Sequence, residues 1–241
     1  MAIYVTSDAH GHVRALDEAL SKISLASDDT LYVLGDMIDR GPDPVGVIKL
    51  VRSLPNARVL KGNHEQIMLD AIIGQDPLDA ETWDINGGWT TRQQLNDMEF
   101  ETYEELVRWM ATLPLYAVAE TDDRPYLLVH AGIQTEAARA FLLEHGVDCA
   151  DGAGAVGADR ELLQQMLAVQ SSDDLLWIRH GYWDASTGLL SAEGKGPVVV
   201  SGHTPTVSLG RYCEVGGLAG LDEESGRHWV GVRPLRYPAP G

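Results

Sequence analysis

Five short apolar runs in this chain each end at a polar motif, and this repetition constrains the fold more than any other sequence feature. The runs are rich in β-branched and aromatic residues, which is typical of buried strands. The motifs that follow them are Asp8-Ala9-His10-Gly11, Gly35-Asp36-Met37-Ile38-Asp39-Arg40-Gly41, Gly62-Asn63-His64-Glu65, His130-Ala131-Gly132 and Gly202-His203-Thr204. In layered α/β folds, ligands bind beyond the carboxyl ends of the strands. We therefore expect the five motifs to meet at one edge of the sheet structure.

The order of the segments predicts an α/β fold in a single domain spanning residues 1–241. Strand-like and helix-like segments alternate over residues 1–75, which indicates a β-α-β-α-β-α start with parallel strands. Residues 76–115 carry no strand-like run, and Thr102-x-x-Glu105 has the pattern of a capping box at a helix start. This stretch is predicted to be a helical insertion over the active site. Residues 236–241 are expected to be a flexible tail.

The composition excludes several classes of partner. The formal net charge of the chain is −18, which opposes nonspecific binding to nucleic acid or to anionic membranes. No apolar run approaches the roughly 18 residues that a transmembrane helix needs, and the first residues lack the pattern of a secretion signal. Two cysteines form no disulfide framework. We expect a cytoplasmic protein with no nucleic-acid or membrane partner.

Six motif residues have side chains that bind divalent cations. The two expected ligand sets are Asp8, His10 and Asp36 for a first ion, and Asp36, Asn63, His130 and His203 for a second. Imidazole with carboxylate suits Mn²⁺, Fe or Zn²⁺ better than Ca²⁺, which takes oxygen ligands. Two ions about 3.5–4 Å apart can acidify a shared water and bind the oxygens of a phosphoryl group. The pattern predicts a two-metal phosphoesterase, with Mn²⁺ as the first choice of ion.

Three further side chains are candidates for catalysis and for substrate binding. His64 directly follows Asn63, so its side chain should point another way, and Asp39 could orient it as a general acid for the leaving alkoxide. Arg40 lies beside the expected metal edge and Arg179 follows the run Leu175–Ile178. Guanidinium groups bind phosphate oxygens in pairs, so both arginines are predicted to hold the substrate phosphate.

These motifs resemble the phosphoprotein phosphatase family of the calcineurin-like metallophosphoesterases. The family signatures are Gly-Asp-x-His-Gly, Gly-Asp-x-x-Asp-Arg-Gly, Gly-Asn-His-Glu, His-x-Gly and Gly-His-Thr, and they occur here in order, with Ser7 in place of the first glycine. Asn86-Gly87-Gly88 and Trp177-x-Arg179 look most like the compact bacterial and phage-lambda-type serine/threonine phosphatases. The resemblance implies a metallophosphoesterase fold, an α+β sandwich with central mixed β-sheets flanked by helices. It implies the same roles for the matched residues.

Several functions are compatible with these motifs. The main prediction is a serine/threonine protein phosphatase that acts on a phosphorylated protein or peptide through a metal-activated water. The alternative is hydrolysis of dinucleoside polyphosphates, such as diadenosine tetraphosphate, or of another small phosphorylated molecule. Similar tetraphosphatases generally have Gly-Asn-His-Asp where this chain has Glu65, which favours the protein phosphatase. A nuclease or phosphodiesterase is disfavoured by Pro205, which stands where such relatives carry histidine. A non-enzymatic relative would have lost ligands that are all present here.

The position of the insertion suggests a role in substrate choice. It follows the Asn63-His64 loop directly, so it can form one wall of the substrate cleft. Trp83 and Trp89 are expected to influence the choice of substrate there, and the alternative is that both are core residues. After His203 the family usually carries an Asp-Thr-Gly turn, whereas this chain has Cys213-Glu214-Val215-Gly216-Gly217. The edge of the cleft on that side is therefore expected to differ.

Overall fold

The computed structural model describes residues 2–74, 76–122, 124–149, 155, 157–179 and 196–204, together with three short strands near the C-terminus. The elements, in chain order, are β1 (Ile3–Thr6), α1 (Val13–Ile23), β2 (Thr30–Val33), α2 (Pro44–Ser53), β3 (Ala57–Val59), α3 (Asn63–Ile73), α4 (Pro77–Ile85), α5 (Trp89–Asn96), α6 (Phe100–Ala111), β4 (Tyr116–Glu120), β5 (Pro125–Val129), α7 (Thr135–Glu144), α8 (Arg160–Ala168), α9 (Ser172–Trp177), β6 (Val198–Ser201), β7 (Cys213–Val215), β8 (Leu218–Gly220) and β9 (Arg233–Pro234). The tail predicted at 236–241 lies outside the described residues. Within those ranges no helix combines the length and apolar character needed to cross a membrane.

Two mixed sheets form the centre of the molecule. The first has the strand order β3-β2-β1-β9, with β1, β2 and β3 parallel and β9 antiparallel to β1. The second has the order β4-β5-β6-β8-β7, with β5, β6 and β8 parallel and both outer strands antiparallel. The predicted parallel start over residues 1–75 is confirmed.

Alternate residues of the central strands face different layers. In β2, Leu31 and Val33 pack against the helices of the N-terminal half, whereas Tyr32 points toward the second sheet. The layer between the sheets contains Val5, Tyr32, Leu34, Leu60, Ala119, Tyr126, Leu128, Val198 and Val200. Burial of one large apolar side chain stabilises a fold by about 1.5–3 kcal/mol, so this layer binds the two sheets face to face. The result is a helix–sheet–sheet–helix sandwich, and the predicted fold class is confirmed.

Residues 76–115 contain three helices, α4, α5 and α6. The first begins at Pro77, and its N-terminal N–H groups are capped by Asp76, which accepts a hydrogen bond from Leu78 N at 2.9 Å. The capping box predicted at Thr102 is wrong. Helix α6 begins three residues earlier than a cap at Thr102 would place it, with Glu99 as its N-cap and the N–H of Tyr103 already bonded to the carbonyl of Glu99 at 3.0 Å. Thr102 therefore lies inside the first turn and caps nothing.

Candidate active site

The loops that carry the motifs continue the pairing of the strands. The N–H of His10 donates to the carbonyl of Asp36 at 2.9 Å, which joins the loops after β1 and β2. The N–H of Gly202 donates to the carbonyl of His130 at 2.8 Å, which joins the loops after β5 and β6. Backbone bonds thus join the loops within each sheet, and the hydrogen bond from His203 N to the side chain of Asp8 joins the two pairs of loops at one edge, as the sequence predicted.

The backbone of these loops is in a conformation that most residues avoid. Seven non-glycine residues of the described part have positive φ, and six of them are candidate site residues, namely Asp8, His10, Asp36, Asp39, Arg40 and His203. A left-handed conformation costs a non-glycine residue on the order of 1–2 kcal/mol. Such strain is concentrated at functional sites in proteins, where it aims side chains at a common point.

The ligand set predicted for the second ion converges in the structure. The Nε2 atom of His130 lies 2.8 Å from Oδ1 of Asn63 and 3.2 Å from Nδ1 of His203. The same Nε2 atom lies 3.4 Å from Oδ2 of Asp36, and Nδ1 of His203 lies 3.0 Å from the Asn63 oxygen. All four side chains are buried. Two imidazole nitrogens, an amide oxygen and a carboxylate oxygen are thus directed at one point.

The set predicted for the first ion is only partly gathered. Nε2 of His10 lies 3.6 Å from Oδ2 of Asp36, and these two side chains with His64 form a group whose ligand atoms lie within 4.8 Å of one another. The sequence did not suggest His64 as a possible ligand. Both carboxylate oxygens of Asp8 instead accept from the backbone N–H of His203, at 3.1 and 3.0 Å. Asp8 thus ties the first motif to the last.

Two of the histidines are oriented by backbone carbonyls. Nδ1 of His10 lies 2.8 Å from the carbonyl oxygen of Ile38, and Nδ1 of His130 lies 2.8 Å from that of Leu34. A carbonyl only accepts hydrogen bonds, so the ring proton is at Nδ1 and the Nε2 lone pair faces the cluster. This arrangement is typical of metal-binding histidines, in which the outer nitrogen donates to a fixed acceptor.

The electrostatics of the cluster fit a divalent cation. Burial raises the pKa of Asp36 well above its usual value, and the nearby charges of Asp8 and Glu65 raise it further. Burial lowers the pKa of His203 to about 2, with added repulsion from His130 and Arg179, and burial also lowers the pKa of His130. The two imidazoles are therefore held neutral, as metal ligands must be. The raised pKa of Asp36 shows that the positive charge around this buried carboxylate does not balance the negative charges beside it. A divalent cation would supply that charge.

His64 and Asp39 form the predicted pair. Both side chains are fully buried, and Nδ1 of His64 donates to Oδ2 of Asp39 at 2.7 Å. The carboxylate therefore fixes the ring so that Nε2 faces the site. Nη2 of Arg40 donates to this Nε2 atom at 2.8 Å, and Nη1 donates to Nε2 of His10 at 2.9 Å. Arg40 thus lies between the first ligand set and the candidate acid.

Trp83 is a core residue, the alternative that the sequence left open, and it does not line the substrate cleft. Its side chain is only 3% exposed, because its indole packs inside the protein and donates to Asp39 Oδ1 at 3.0 Å. Trp89, in contrast, is 58% exposed. The hydroxyl of Thr91 also bonds Asp39, at 2.6 Å. Thr91 was missed by sequence reasoning, since a threonine in a helix carries no signal of a partner 52 residues away.

Arg179 contacts the second ligand set, whereas Arg40 contacts His10 and His64. Its Nε atom donates to Nε2 of His203 at 2.9 Å, while its side chain remains exposed. Two residues earlier, Trp177 is 41% exposed and its ring stands edge-on to that of His203, with 6.2 Å between the centroids. Each ligand set thus has an exposed guanidinium beside it, and an exposed aromatic ring also borders His203 of the second set.

Glu65 has a structural position behind the ligands. Its side chain is fully buried, and its two oxygens accept from the backbone N–H groups of Asp36, Met37 and Gly62, each at 2.8 Å. A Cβ atom at Gly62 would collide with the carboxylate of Asp36, so only glycine permits this close approach. Glu65 therefore holds the Asp36 loop in place and cannot contact a substrate.

Comparison with known proteins places the chain in a family. A calcineurin-like phosphoesterase family model matches residues 1–227. The symmetrical bis(5'-nucleosyl)-tetraphosphatase of Erwinia tasmaniensis is 31% identical over 136 residues, covering 55% of this chain and 45% of that protein. The protein of the same name from Proteus mirabilis is 32% identical over 139 residues, with the same coverage. The chain thus spans less than half the length of these curated relatives.

Two solved structures share the fold. A putative diadenosine tetraphosphatase matches with a TM-score of 0.55 at 16% identity, covering 98% of this chain and 94% of that one. A serine/threonine phosphatase from Saccharomyces cerevisiae matches with a TM-score of 0.57 at 14% identity, covering 100% and 81%. At such identities the match concerns the fold alone. Together with the five motifs and the convergent donor cluster, the match over residues 1–227 shows that this chain belongs to the calcineurin-like phosphoesterase family.

Proposed function

We propose that this chain is a metal-dependent hydrolase that cuts dinucleoside tetraphosphates at the middle of the phosphate bridge, which leaves two nucleoside diphosphates. The observation that carries the proposal is the sequence similarity to symmetrical bis(5'-nucleosyl)-tetraphosphatases. The donor cluster and the two exposed arginines are compatible with this chemistry, because a polyphosphate bridge presents several anionic oxygens to the site. The proposal replaces the protein phosphatase as the leading function.

The residues that would hold two divalent ions are those named from the sequence. Asp8, His10 and Asp36 would bind one ion, and Asp36, Asn63, His130 and His203 the other. The ions, for which Mn²⁺ is our first choice, would supply an acidified water and a grip on phosphoryl oxygens. Asp36 would be the shared ligand, since its Oδ2 atom lies near both His10 and His130.

The arginines supply local positive charge that the molecule as a whole lacks. With a formal net charge of −18, the chain repels an anionic polyphosphate at long range. Arg40 and Arg179 each donate hydrogen bonds to histidines of the cluster, and both side chains are exposed. Their N–H groups can therefore exchange the histidine acceptors for phosphate oxygens. This exchange also frees Nε2 of His64, which now accepts from Arg40.

His64 is proposed to protonate the leaving group, with Asp39 as its orienting partner. The geometry supports this because Nδ1 is committed to the Asp39 carboxylate and Nε2 faces the arginine that would hold phosphate. A nucleoside diphosphate is a weakly basic leaving group and needs little protonation. An alkoxide such as the serine side chain is strongly basic and needs much more. The contribution of His64 should therefore depend on the substrate.

Trp177 offers a binding surface for a nucleobase. Its ring is 41% exposed and borders His203, a proposed ligand of the second ion. Stacking of a base on an exposed aromatic face contributes about 1–3 kcal/mol in nucleic-acid-binding proteins. A phosphopeptide gains little from such a surface, whereas a dinucleoside polyphosphate carries a base at each end. The exposed ring therefore supports the nucleotide substrate.

A serine/threonine protein phosphatase remains the second candidate. It is favoured by Asn86-Gly87-Gly88 and Trp177-x-Arg179, which resemble the compact bacterial phosphatases. The argument from Glu65 no longer supports it. That carboxylate is buried and bonded to three backbone N–H groups, so its identity reports on loop packing rather than on substrate.

One panel of substrates tests the proposal. Protein stripped of metal and reloaded with Mn²⁺ is assayed on diadenosine tetraphosphate, a phosphoserine peptide and a phosphotyrosine peptide. We expect diadenosine tetraphosphate to give ADP as its only product, with kcat/KM at least about tenfold above that for either peptide. A higher kcat/KM for the phosphoserine peptide would establish the second candidate instead. Products of unequal length would exclude symmetrical cleavage.

A further inference from the structure

We propose that Trp83 and Thr91, both in the helical insertion, are positioning residues that fix Asp39 and, through it, the ring of His64. The inference rests on the proposed role of His64 as proton donor. The insertion was expected to shape only the substrate cleft. The structure instead brings two of its polar side chains onto the buried carboxylate that orients His64.

Thr91 bonds Asp39 in both directions. The backbone N–H of Asp39 donates to Oγ1 of Thr91 at 2.9 Å, and the Thr91 hydroxyl donates to Oδ1 of Asp39 at 2.6 Å. The side chain is fully buried, so no water competes for these bonds. A hydroxyl that accepts from the backbone and donates to the carboxylate of one residue fixes that residue's side-chain torsion. Thr91 thus sets the direction of the Asp39 carboxylate.

Trp83 supports the carboxylate from a second side. Its indole N–H lies 3.0 Å from Oδ1 and 3.2 Å from Oδ2 of Asp39. The ring is itself held in place, because the guanidinium of Arg92 lies over it at 5.0 Å and a Cβ atom at Gly88 would collide with it. The donor therefore has no freedom to turn away from the carboxylate.

Three side-chain donors hold the carboxylate of Asp39. Oδ1 accepts from Thr91 at 2.6 Å and from Trp83 at 3.0 Å. Oδ2, which the Trp83 N–H also approaches at 3.2 Å, is directed at Nδ1 of His64, 2.7 Å away. Were the Oδ1 donors absent, the carboxylate could rotate and the His64 ring would lose its fixed acceptor. The doubly protonated ring that donates a proton from Nε2 would then lose the carboxylate that stabilises it, and its Nε2 atom could turn from the site. Both changes lower the fraction of molecules able to protonate a leaving group.

Matched substitutions separate positioning from general stability. Thr91→Val removes the hydroxyl and keeps the shape, and Thr91→Ser restores the hydroxyl. Thr90→Val is the control, because Thr90 is also buried in α5 but its hydroxyl has no hydrogen-bond partner within the described ranges. Trp83→Phe removes the N–H and keeps an aromatic ring. Its control is Trp109→Phe, since Trp109 likewise lies under an arginine, Arg52, at 5.2 Å.

Two readouts report on His64. The first is the ratio of kcat for phenyl phosphate to kcat for p-nitrophenyl phosphate, whose leaving groups differ in basicity. The second is the ¹⁵N spectrum of the His64 ring in protein loaded with diamagnetic Zn²⁺, which shows which nitrogen carries the proton. We expect Thr91→Val and Trp83→Phe to slow hydrolysis of phenyl phosphate about 10–100-fold and hydrolysis of p-nitrophenyl phosphate by less. In both variants the ¹⁵N spectrum should show a mixture of the two neutral tautomers of His64. Thr91→Ser should restore both readouts.

The outcomes distinguish this inference from the proposed function. If Thr91→Val matches Thr90→Val in both readouts, or slows both esters equally with an unchanged His64 spectrum, Thr91 and Trp83 are structural only and the inference is wrong. If His64→Asn shows no dependence on the leaving group, the proton-donor role fails. The ¹⁵N spectrum still decides whether the two residues fix the ring, even if neither monoester is hydrolysed.

Discussion

Nδ1 of His130 lies 2.8 Å from the carbonyl oxygen of Leu34. Leu34 directly follows β2 of the first sheet, and His130 directly follows β5 of the second. The hydrogen bond therefore joins the two sheets at the edge where the motifs meet. Because the carbonyl accepts the Nδ1 proton, the Nε2 lone pair is directed at Asn63 and Asp36. Packing of the sandwich thus sets the orientation of a metal-competent nitrogen.

The first prediction concerns metal stoichiometry. Wild-type protein should bind two divalent ions, and the His130→Ala variant should bind about one. The Asp36→Asn variant should bind neither ion tightly, because Asp36 lies between the two ligand groups. Elemental analysis after dialysis against Mn²⁺ measures this directly. His145→Ala serves as the control, since that histidine is exposed and stacks on Phe141. Two tightly bound ions in His130→Ala would contradict the proposed ligand set.

The second prediction concerns protons released when metal binds. An ordinary histidine with a pKa of 6.5 gains a proton as the pH falls below that value and must lose it to bind metal. A lowered pKa keeps a histidine ring neutral below pH 6.5. The pKa of His203 is lowered to about 2, and the pKa of His130 is also lowered. Calorimetric titrations in buffers of different ionisation enthalpy, below pH 6.5, should therefore show no proton release from these rings. In acid, release should come from Asp36, whose pKa is raised.

The third prediction separates phosphate binding from metal binding. Arg40→Ala and Arg179→Ala should each lower kcat/KM about 10–100-fold, since a charge-assisted hydrogen bond contributes about 1.5–3 kcal/mol. Neither should reduce metal content, because arginine supplies no ligand atom. Arg52→Ala is the control, because that arginine pairs with Glu105 on the surface. Loss of bound metal in either variant would show that the arginine supports the histidines rather than the substrate.

The motif residues could be located from the sequence because each follows an apolar strand within a few positions. A buried strand is visible in the sequence as a short apolar run, so the ends of β1, β2, β5 and β6 were predictable. The loops that follow these strands were expected to meet at one edge. The same reasoning could not predict that Asp8 bonds the backbone of His203, 195 residues away. It could not place His64 beside His10 and Asp36 either.

The role of the insertion was beyond sequence reasoning for a physical reason. The helices of residues 76–115 were predictable as a class, but the direction in which a tryptophan faces depends on tertiary packing. Trp83 and Trp89 are six residues apart, yet one is 3% exposed and the other 58%. The buried one contacts a carboxylate 44 residues earlier in the chain. No local pattern records such a contact.

The fourth prediction tests the nucleobase surface. Trp177→Ala should raise KM for diadenosine tetraphosphate about 5–100-fold, from a stacking contribution of about 1–3 kcal/mol, while KM for p-nitrophenyl phosphate stays within twofold. Trp177→Phe should keep most of the affinity. The matched control is Trp89→Ala, because Trp89 is also exposed. Equal increases in KM for both substrates would remove the nucleobase argument and weaken the case for a nucleotide substrate.

The fifth prediction uses Ser24, which among the non-glycine residues that the structure describes is the one with positive φ outside the site. Ser24 ends α1 with φ 49° and ψ 57°, and it is exposed. Glycine is the residue that most readily adopts this conformation at a helix end. Ser24→Gly should therefore raise the free energy of unfolding by about 0.5–1 kcal/mol without changing kcat/KM.

The same backbone argument applies to Asp36, which also has a positive φ, 55°, but lies inside the candidate active site. Asp36→Gly should be more stable than Asp36→Ala by about 1 kcal/mol in urea denaturation, since only alanine retains the left-handed strain. Both variants should be inactive, because both lack the shared carboxylate. Equal stability of the two variants would mean that the loop relaxes when the side chain is lost. The contacts of the Asp36 side chain, rather than the backbone bonds that join the loops, would then hold the residue in the left-handed conformation.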